Sequence, residues 1–259
     1  MRRGRWLRAA SMIAVVAGAV LLTGCQGATP NVKTSDIFVA APWKASERLE
    51  YRLRNSDGQD VGTGVLTTRL EGDRVVLGQS YTEAMTPVGA PPVRDEVTVT
   101  VDAKSFKPVQ GTRMTNGRTE DGKAQVTRTT WTYRTEGDKT RLATSSERDG
   151  GKSSTGELTL RPHFYDNESS LWFWRGIAFA EQYEHAYVSA NAIDRTQQNV
   201  AVRIPQRETI EVPAGKFDTW RILVRNGRAV RTAWISSTPP HLIVRWDNAD
   251  LIFELTKFE

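Results

Sequence analysis

The sequence contains one cysteine and three histidines among its 259 residues. A single cysteine excludes an intramolecular disulfide and any multi-cysteine metal centre. Three histidines leave little material for a zinc enzyme. Glu181, Glu184 and His185 stand close together, but no second histidine follows at helical spacing, so no metal site is expected. No Gly-x-Ser-x-Gly elbow occurs. Gly151-Lys152-Ser153 carries the last letters of a phosphate loop but lacks the upstream glycine and a strand-to-helix setting. Beyond residue 22 no apolar run approaches the roughly 20 residues a membrane-spanning helix needs. Strand–helix–strand spacing is absent as well, which argues against a doubly wound sheet. Excess charge is confined to one end. The formal net charge is +5 and the pI about 9.4, but Arg2, Arg3, Arg5 and Arg8 stand in the first ten residues. Without those four, 31 basic residues face 30 acidic ones, and nothing points to nucleic acid. These absences leave no catalytic residue, metal or cofactor to assign, and the chain is read as not an enzyme.

What is present begins at the N-terminus. The four arginines precede Ser11–Leu22, an uncharged apolar stretch too short to span a bilayer. A basic start, a short apolar run and small residues after it describe a secretory signal peptide over residues 1–24. It ends in Leu22-Thr23-Gly24-Cys25, which resembles the lipobox of bacterial lipoproteins. That resemblance implies cleavage before Cys25 and a diacylglycerol thioether on its sulfur. Each buried methylene contributes about 0.8 kcal/mol, so two or three acyl chains hold stably where one does not. The implied location is the extracytoplasmic face of a bacterial membrane, the outer membrane if the host has one. Residues 25–45 lack a period and carry Gly, Ala, Pro, Ser and Thr, so they read as the lipidated cysteine and a flexible tether.

Residues 46–259 read as a single β-rich domain. Short runs of period 2 alternate with turn signals. Leu49, Tyr51 and Leu53 share one face of the first run, with arginines and Glu50 on the other. Ser56-Asp57-Gly58, Glu71-Gly72-Asp73, Glu136-Gly137-Asp138 and Asp149-Gly150-Gly151 punctuate the series, and Asn116-Gly117 reads as a hairpin turn. Val212-Pro213-Ala214-Gly215 is a tight turn with glycine free to take positive φ. The expected fold is all-β with minor helix: an antiparallel meander curled into a barrel-like or strongly bent sheet. The arginines of the later strands, Arg221, Arg225, Arg228 and Arg231, read as a solvated face.

One segment breaks the rhythm. Asp166-Asn167-Glu168-Ser169-Ser170 precedes Leu171-Trp172-Phe173-Trp174-Arg175, which suggests a short helix over 167–175 capped by Asp166 or Asn167. Aromatics flank it at Phe164, Tyr165, Phe179, Tyr183 and Tyr187. At 100° per residue Leu171 and Trp174 share a face, so they are expected in the core. Trp172, Phe173 and Tyr183 are then the candidate lining of an apolar ligand site.

Several of these motifs resemble the DUF3108 family of secreted or lipid-anchored bacterial proteins. Pro213-Ala214-Gly215-Lys216-Phe217 is similar to its PAG-x-F hairpin. Trp234-Ile235-Ser236 with Pro239-Pro240-His241-Leu242 looks like its closing strand pair. Asp166, Ser169 and Arg175 match its D-x-x-S … R segment, and Asp102 with Pro108 its corner before a strand. The resemblance implies a curled antiparallel sheet and supplies no catalytic residues. The expected role is a lipid-anchored, non-enzymatic envelope protein. Its partners are the membrane, through Cys25, and an apolar ligand or another envelope protein. The alternative is a structural or interaction lipoprotein with a filled core.

Cys25→Ser should abolish acylation, because no other residue can form the thioether. Metabolic labelling with a fatty-acid analogue reads this directly. Unchanged label in the variant would remove the lipoprotein assignment.

Overall fold

The computed structural model describes residues 33–41, 43–84, 92–119, 122–149, 151, 153–227 and 229–259. The expected signal peptide, Cys25 and residues 26–32 lie outside them. Fifteen strands form one sheet: β1 (Ser46–Asn55), β2 (Asp60–Glu71), β3 (Arg74–Glu83), β4 (Arg94–Asp102), β5 (Pro108–Arg118), β6 (Ala124–Glu136), β7 (Lys139–Arg148), β8 (Ser154–Leu160), β9 (Phe164–Asp166), β10 (Tyr183–Asn191), β11 (Thr196–Val212), β12 (Gly215–Asn226), β13 (Ala229–Ser236), β14 (Ile243–Asp247) and β15 (Leu251–Phe258). Their spatial order is β8-β7-β6-β5-β4-β3-β2-β1-β15-β14-β13-β12-β11-β10-β9. Two antiparallel meanders, β1–β8 and β10–β15, therefore join where β15 pairs back on β1. The short pairing of β9 with β10 is parallel. The sheet curls into a nearly closed barrel, as the alternation implied.

Side chains bridge the seam between its free ends. Gln197 on β11 donates to Thr159 O at 2.9 Å and accepts from Arg161 N at 2.8 Å. Arg195 reaches Ser154 Oγ at 2.9 Å. On β6, Trp131 and Tyr133 both donate to Asp166 on β9.

The inward stripes follow the expected parity. Leu49, Tyr51 and Leu53 stand opposite Leu66, Gly64 and Gly62 on β2, and Leu77 on β3 faces Val99 on β4. Val202, Ile222, Ala233 and Ile235 fill the other meander. Trp131 lies over Gly111 in register across β5 and β6.

Several boundaries differ from expectation. Asn116-Gly117 lies inside β5, paired to Val126 and Gln125, and the chain turns beyond Arg118. Gly122, at φ +81°, supplies the left-handed residue there. β11 runs unbroken from Thr196 to Val212, absorbing Pro205 through a register shift between Arg203 and Gln206. β10 and β9 were not anticipated. Residues 186–190 of β10 are all buried, so alternation is lost there. The predicted turn holds: Val212 pairs with Gly215, which takes φ +126°.

The helix is shorter than residues 167–175. It spans α1 (Ser170–Phe173) and tightens into a 3-10 turn over Trp174–Gly176. The flexible tether over 25–45 is also corrected where the structure describes it. Thr34 bridges Ala186, Phe38 bridges Ile177, and Ile37 and Phe38 are buried. Phe38 packs against Tyr165, Tyr187 and Phe173 with ring centroids 4.6, 5.1 and 5.2 Å apart. Gly, Pro and Thr around these residues hid an apolar pair that docks on the barrel.

A methyl group at Gly111 would lie 2.3 Å from Trp131 Cζ2, and the bond to Asp166 holds that ring in place. Gly111→Ala should therefore cost about 1–3 kcal/mol, as overpacking does. Gly117→Ala, whose nearest neighbour is 3.9 Å away, should cost less. Equal urea midpoints for the two variants would contradict this.

Candidate functional site

The segment from β9 through the 3-10 turn enters the barrel and plugs it. Three polar clusters hold it. Asp166, fully buried, opens the plug. Its Oδ2 accepts from Trp131 Nε1 at 2.9 Å and Tyr133 Oη at 2.6 Å, and its Oδ1 from the Glu168 and Ser169 amides at 2.8 and 3.2 Å. The expected side-chain cap on the helix is not formed: the N-cap is Ser169 with no side-chain cap bond, and Asp166 instead holds the turn before the helix. Burial pushes its carboxyl up to about 7, partly offset by the bonds from Tyr133 and Trp131.

Arg175 closes the plug. Its guanidinium donates to Glu47 at 2.9 and 3.1 Å, to His241 O at 2.8 Å and to Pro240 O at 2.9 Å. The two side chains are 0% and 3% exposed.

Asp36 is the third hold. It accepts from Lys107 at 2.6 Å and Tyr165 at 2.7 Å, and lies 3.0 Å from His163 Nδ1. Against the burial that raises it, the bonds from Lys107, Tyr165 and His163 bring its carboxyl down to about 2.

Between these holds the helix is enclosed on both sides, so the expected division into a core face and a ligand face fails in part. Trp172 and Phe173 are each 1% exposed. Trp172 donates to Thr68 Oγ1 at 3.1 Å, and Phe173 joins the ring cluster of Phe38, Tyr165 and Phe106. The proposed ligand-lining residues Trp172 and Phe173 are core. Of the residues assigned to the core, Trp174 is buried as expected, at 4% exposed, and Leu171 is half-buried; both also line a cavity. The reason is that the barrel surrounds the plug, so both helix faces are enclosed. Tyr183 lies on β10 away from this cavity, its ring 4.6 Å from His185 and its hydroxyl raised to about 12 by burial.

The cavity measures about 160 Å³ and is half enclosed. Leu171, Trp174, Trp246, Val200 and Val224 form an apolar wall. The rings of Trp174 and Trp246 stand 5.0 Å apart. Opposite them Glu168, Asn226 and Arg231 lie among the polar lining. Sequence reasoning placed Arg231 on a solvated face. The usable signal was its phase: Arg231, Ala233 and Ile235 alternate on one side of β13, and that side faces inward.

Comparison with known proteins follows the same lines. The family described as "Protein of unknown function (DUF3108)" matches residues 48–252. The chain belongs to this family. In this chain Asp166, Ser169 and Arg175 are all buried and bonded in the plug. The crystal structure of a β-barrel-like protein of the DUF1849 family, a domain of unknown function from Brucella abortus, is similar over 86% of this chain and 98% of that one. Its TM-score is 0.55 at 12% identity, which supports the barrel-like fold alone. A Bacteroides fragilis protein with a YmcC-like fold aligns over 87% of this chain and 100% of that one, at 9% identity and a TM-score of 0.31, a value that carries no argument. No curated protein matches the sequence.

Asp166→Asn should destabilise the DUF3108 barrel by about 1–3 kcal/mol. One amide oxygen cannot serve all four donors, and the new NH₂ faces a donor. The folded carboxyl sits above its ordinary 3.8, so its contribution is full below about pH 4 and fades as pH rises through 7. The stability advantage of wild type over Asp166→Asn should therefore shrink between about pH 4 and pH 7 and level off above, read from denaturant midpoints. A constant or growing advantage contradicts the raised carboxyl.

Proposed function

We propose that this DUF3108 protein is a non-enzymatic envelope lipoprotein, anchored through Cys25 on the extracytoplasmic side of a bacterial membrane. Its barrel works as a rigid body that presents its outer surface to another envelope component. The observation that supports this reading is the filled interior. Trp172, Phe173, Tyr165 and Tyr187 are each 1% exposed and occupy the space an acyl chain would need. The cavity beside the plug, at about 160 Å³, is close to one that holds benzene and below the roughly 300–1,000 Å³ of ordinary ligand pockets. Carriage of a long apolar envelope ligand is therefore disfavoured against the interaction role.

The outer face supports the same reading. Arg221, Trp234, Arg245, Glu254 and Arg52 stand in register across β12, β13, β14, β15 and β1. Arg245 lies 4.9 Å over the Trp234 ring and Arg52 pairs with Glu254 at 2.7 Å. Arginine and tryptophan are the residue types enriched where proteins meet.

Native mass spectrometry of Cys25→Ser protein, produced without the thioether, tests the filled interior. The expected spectrum shows the bare polypeptide. A co-purified lipid of defined mass, retained through gentle desolvation, overturns the interaction reading in favour of the carrier.

A further inference from the structure

We propose that the cavity flanking the plug binds a small zwitterion, an α-amino acid with a compact aliphatic side chain. Electrostatics decide the class of ligand. Arg231 lines the cavity, its Nε is buried without an acceptor, and among the described residues no carboxylate pairs with it. A guanidinium so placed presents its fork of donors to a carboxylate. Asn226 Oδ1 is buried in the same lining and likewise has no partner, so it requires a donor. Glu168 adds a negative charge. Its Oε1 accepts from Asn167 Nδ2 at 3.0 Å, and among the described residues no cation pairs with it.

One cavity thus carries a cation and an anion that do not neutralise each other, together with an orphaned acceptor. A purely anionic ligand would compensate Arg231 but meet Glu168. A purely apolar ligand would leave both charges uncompensated and desolvated. A zwitterion answers all three groups, with its carboxylate on Arg231 and its ammonium between Glu168 and Asn226 Oδ1. The remaining surface fits a side chain. Leu171, Trp174 and Trp246 form a wall whose polar atoms are already used where they are buried, since Trp174 Nε1 donates to Tyr187 Oη at 3.2 Å. The volume of about 160 Å³ limits the guest to a molecule little larger than benzene. This inference does not rest on the interaction role, and lipid in the interior and an amino acid in the cavity are read by separate measurements.

Saturation-transfer NMR and calorimetry on the full chain in detergent test it with four probes: valine, leucine, isovalerate and isoamylamine. Valine or leucine should bind saturably, and the two half-molecules, each lacking one charge, about tenfold or more weaker. Arg231→Gln and Glu168→Gln should each weaken binding by about tenfold or more while the thermal midpoint holds or rises, because each removes an unpaired charge. Trp172→Ala should lower the midpoint, which separates loss of fold from loss of site. No saturable binding of either amino acid at about 10 mM, far weaker than typical metabolite sites, overturns the proposal. So does isovalerate, which is valine without its ammonium, binding as well as valine, which would mark a plain anion site. So does unchanged affinity in Arg231→Gln.

Discussion

Arg175 carries its charge into the barrel with no solvent contact, and the placement of the plug follows from how that charge is satisfied. Its four hydrogen bonds go to Glu47 on the first strand of the sheet and to the carbonyls of Pro240 and His241 between β13 and β14. Transferring an ion pair from water costs several kcal/mol per ion, and only near-complete hydrogen bonding offsets it. The plug can therefore sit at one depth only. A shift of one residue would leave the guanidinium buried and unpaired, at a cost of about 3–5 kcal/mol. Apolar packing alone could not impose this, because Trp172, Phe173 and Trp174 would be equally content a few ångströms away. The ion pair contributes position more than stability.

Asp166 does the complementary work at the other end. The barrel's free edges, β8 and β9, do not hydrogen-bond to each other. Closure depends on side chains, and Asp166 ties the first meander, through Trp131 and Tyr133, to the start of the plug. The same carboxylate ends β9 by taking the amides of Glu168 and Ser169. Closure of the sheet and entry of the plug are thus one event in the fold. Asp36 extends this arrangement outward, since its bonds to Lys107 and Tyr165 pin the segment before β1 to the plug's outer side.

Much of this architecture was legible in the sequence, and the parts that were not share a physical cause. β1, β2 and β4 alternate cleanly because one face meets water and the other the core. β10 does not: residues 186–190 are all buried, and its outer edge is taken by β9 and by the bridge from Thr34 to Ala186. The helix over 167–175 was recognisable by its caps and bulk, but a helical wheel assumes one wet side. Inside a barrel there is none, so the wheel assigned Trp172 and Phe173 to the wrong environment. Likewise Asp36 and Phe38 gain their meaning only from partners more than 70 residues away. The family's D-x-x-S … R pattern was visible as letters. That its acid and its base are the two buried ends of a plug required the three-dimensional arrangement.

The polar cavity and the filled core are consequences of the same device. A barrel of this many strands encloses more volume than its own inward side chains fill, and lipid carriers leave that volume as an apolar space. Here a chain segment occupies it. A segment brings its own backbone and polar caps, and these must be met by inward polar groups. Asn167, Glu168 and Ser170 enter with the plug, and Gln79, Asn226 and Arg231 are the wall residues that face them. The space left between plug and wall is therefore small, and its lining mixes charge with tryptophan. An acyl chain would find neither the length nor the dry surface it needs there, whereas a compact polar molecule would find partners already in place. Filling the barrel with chain rather than ligand changes what chemistry the remaining space can recognise.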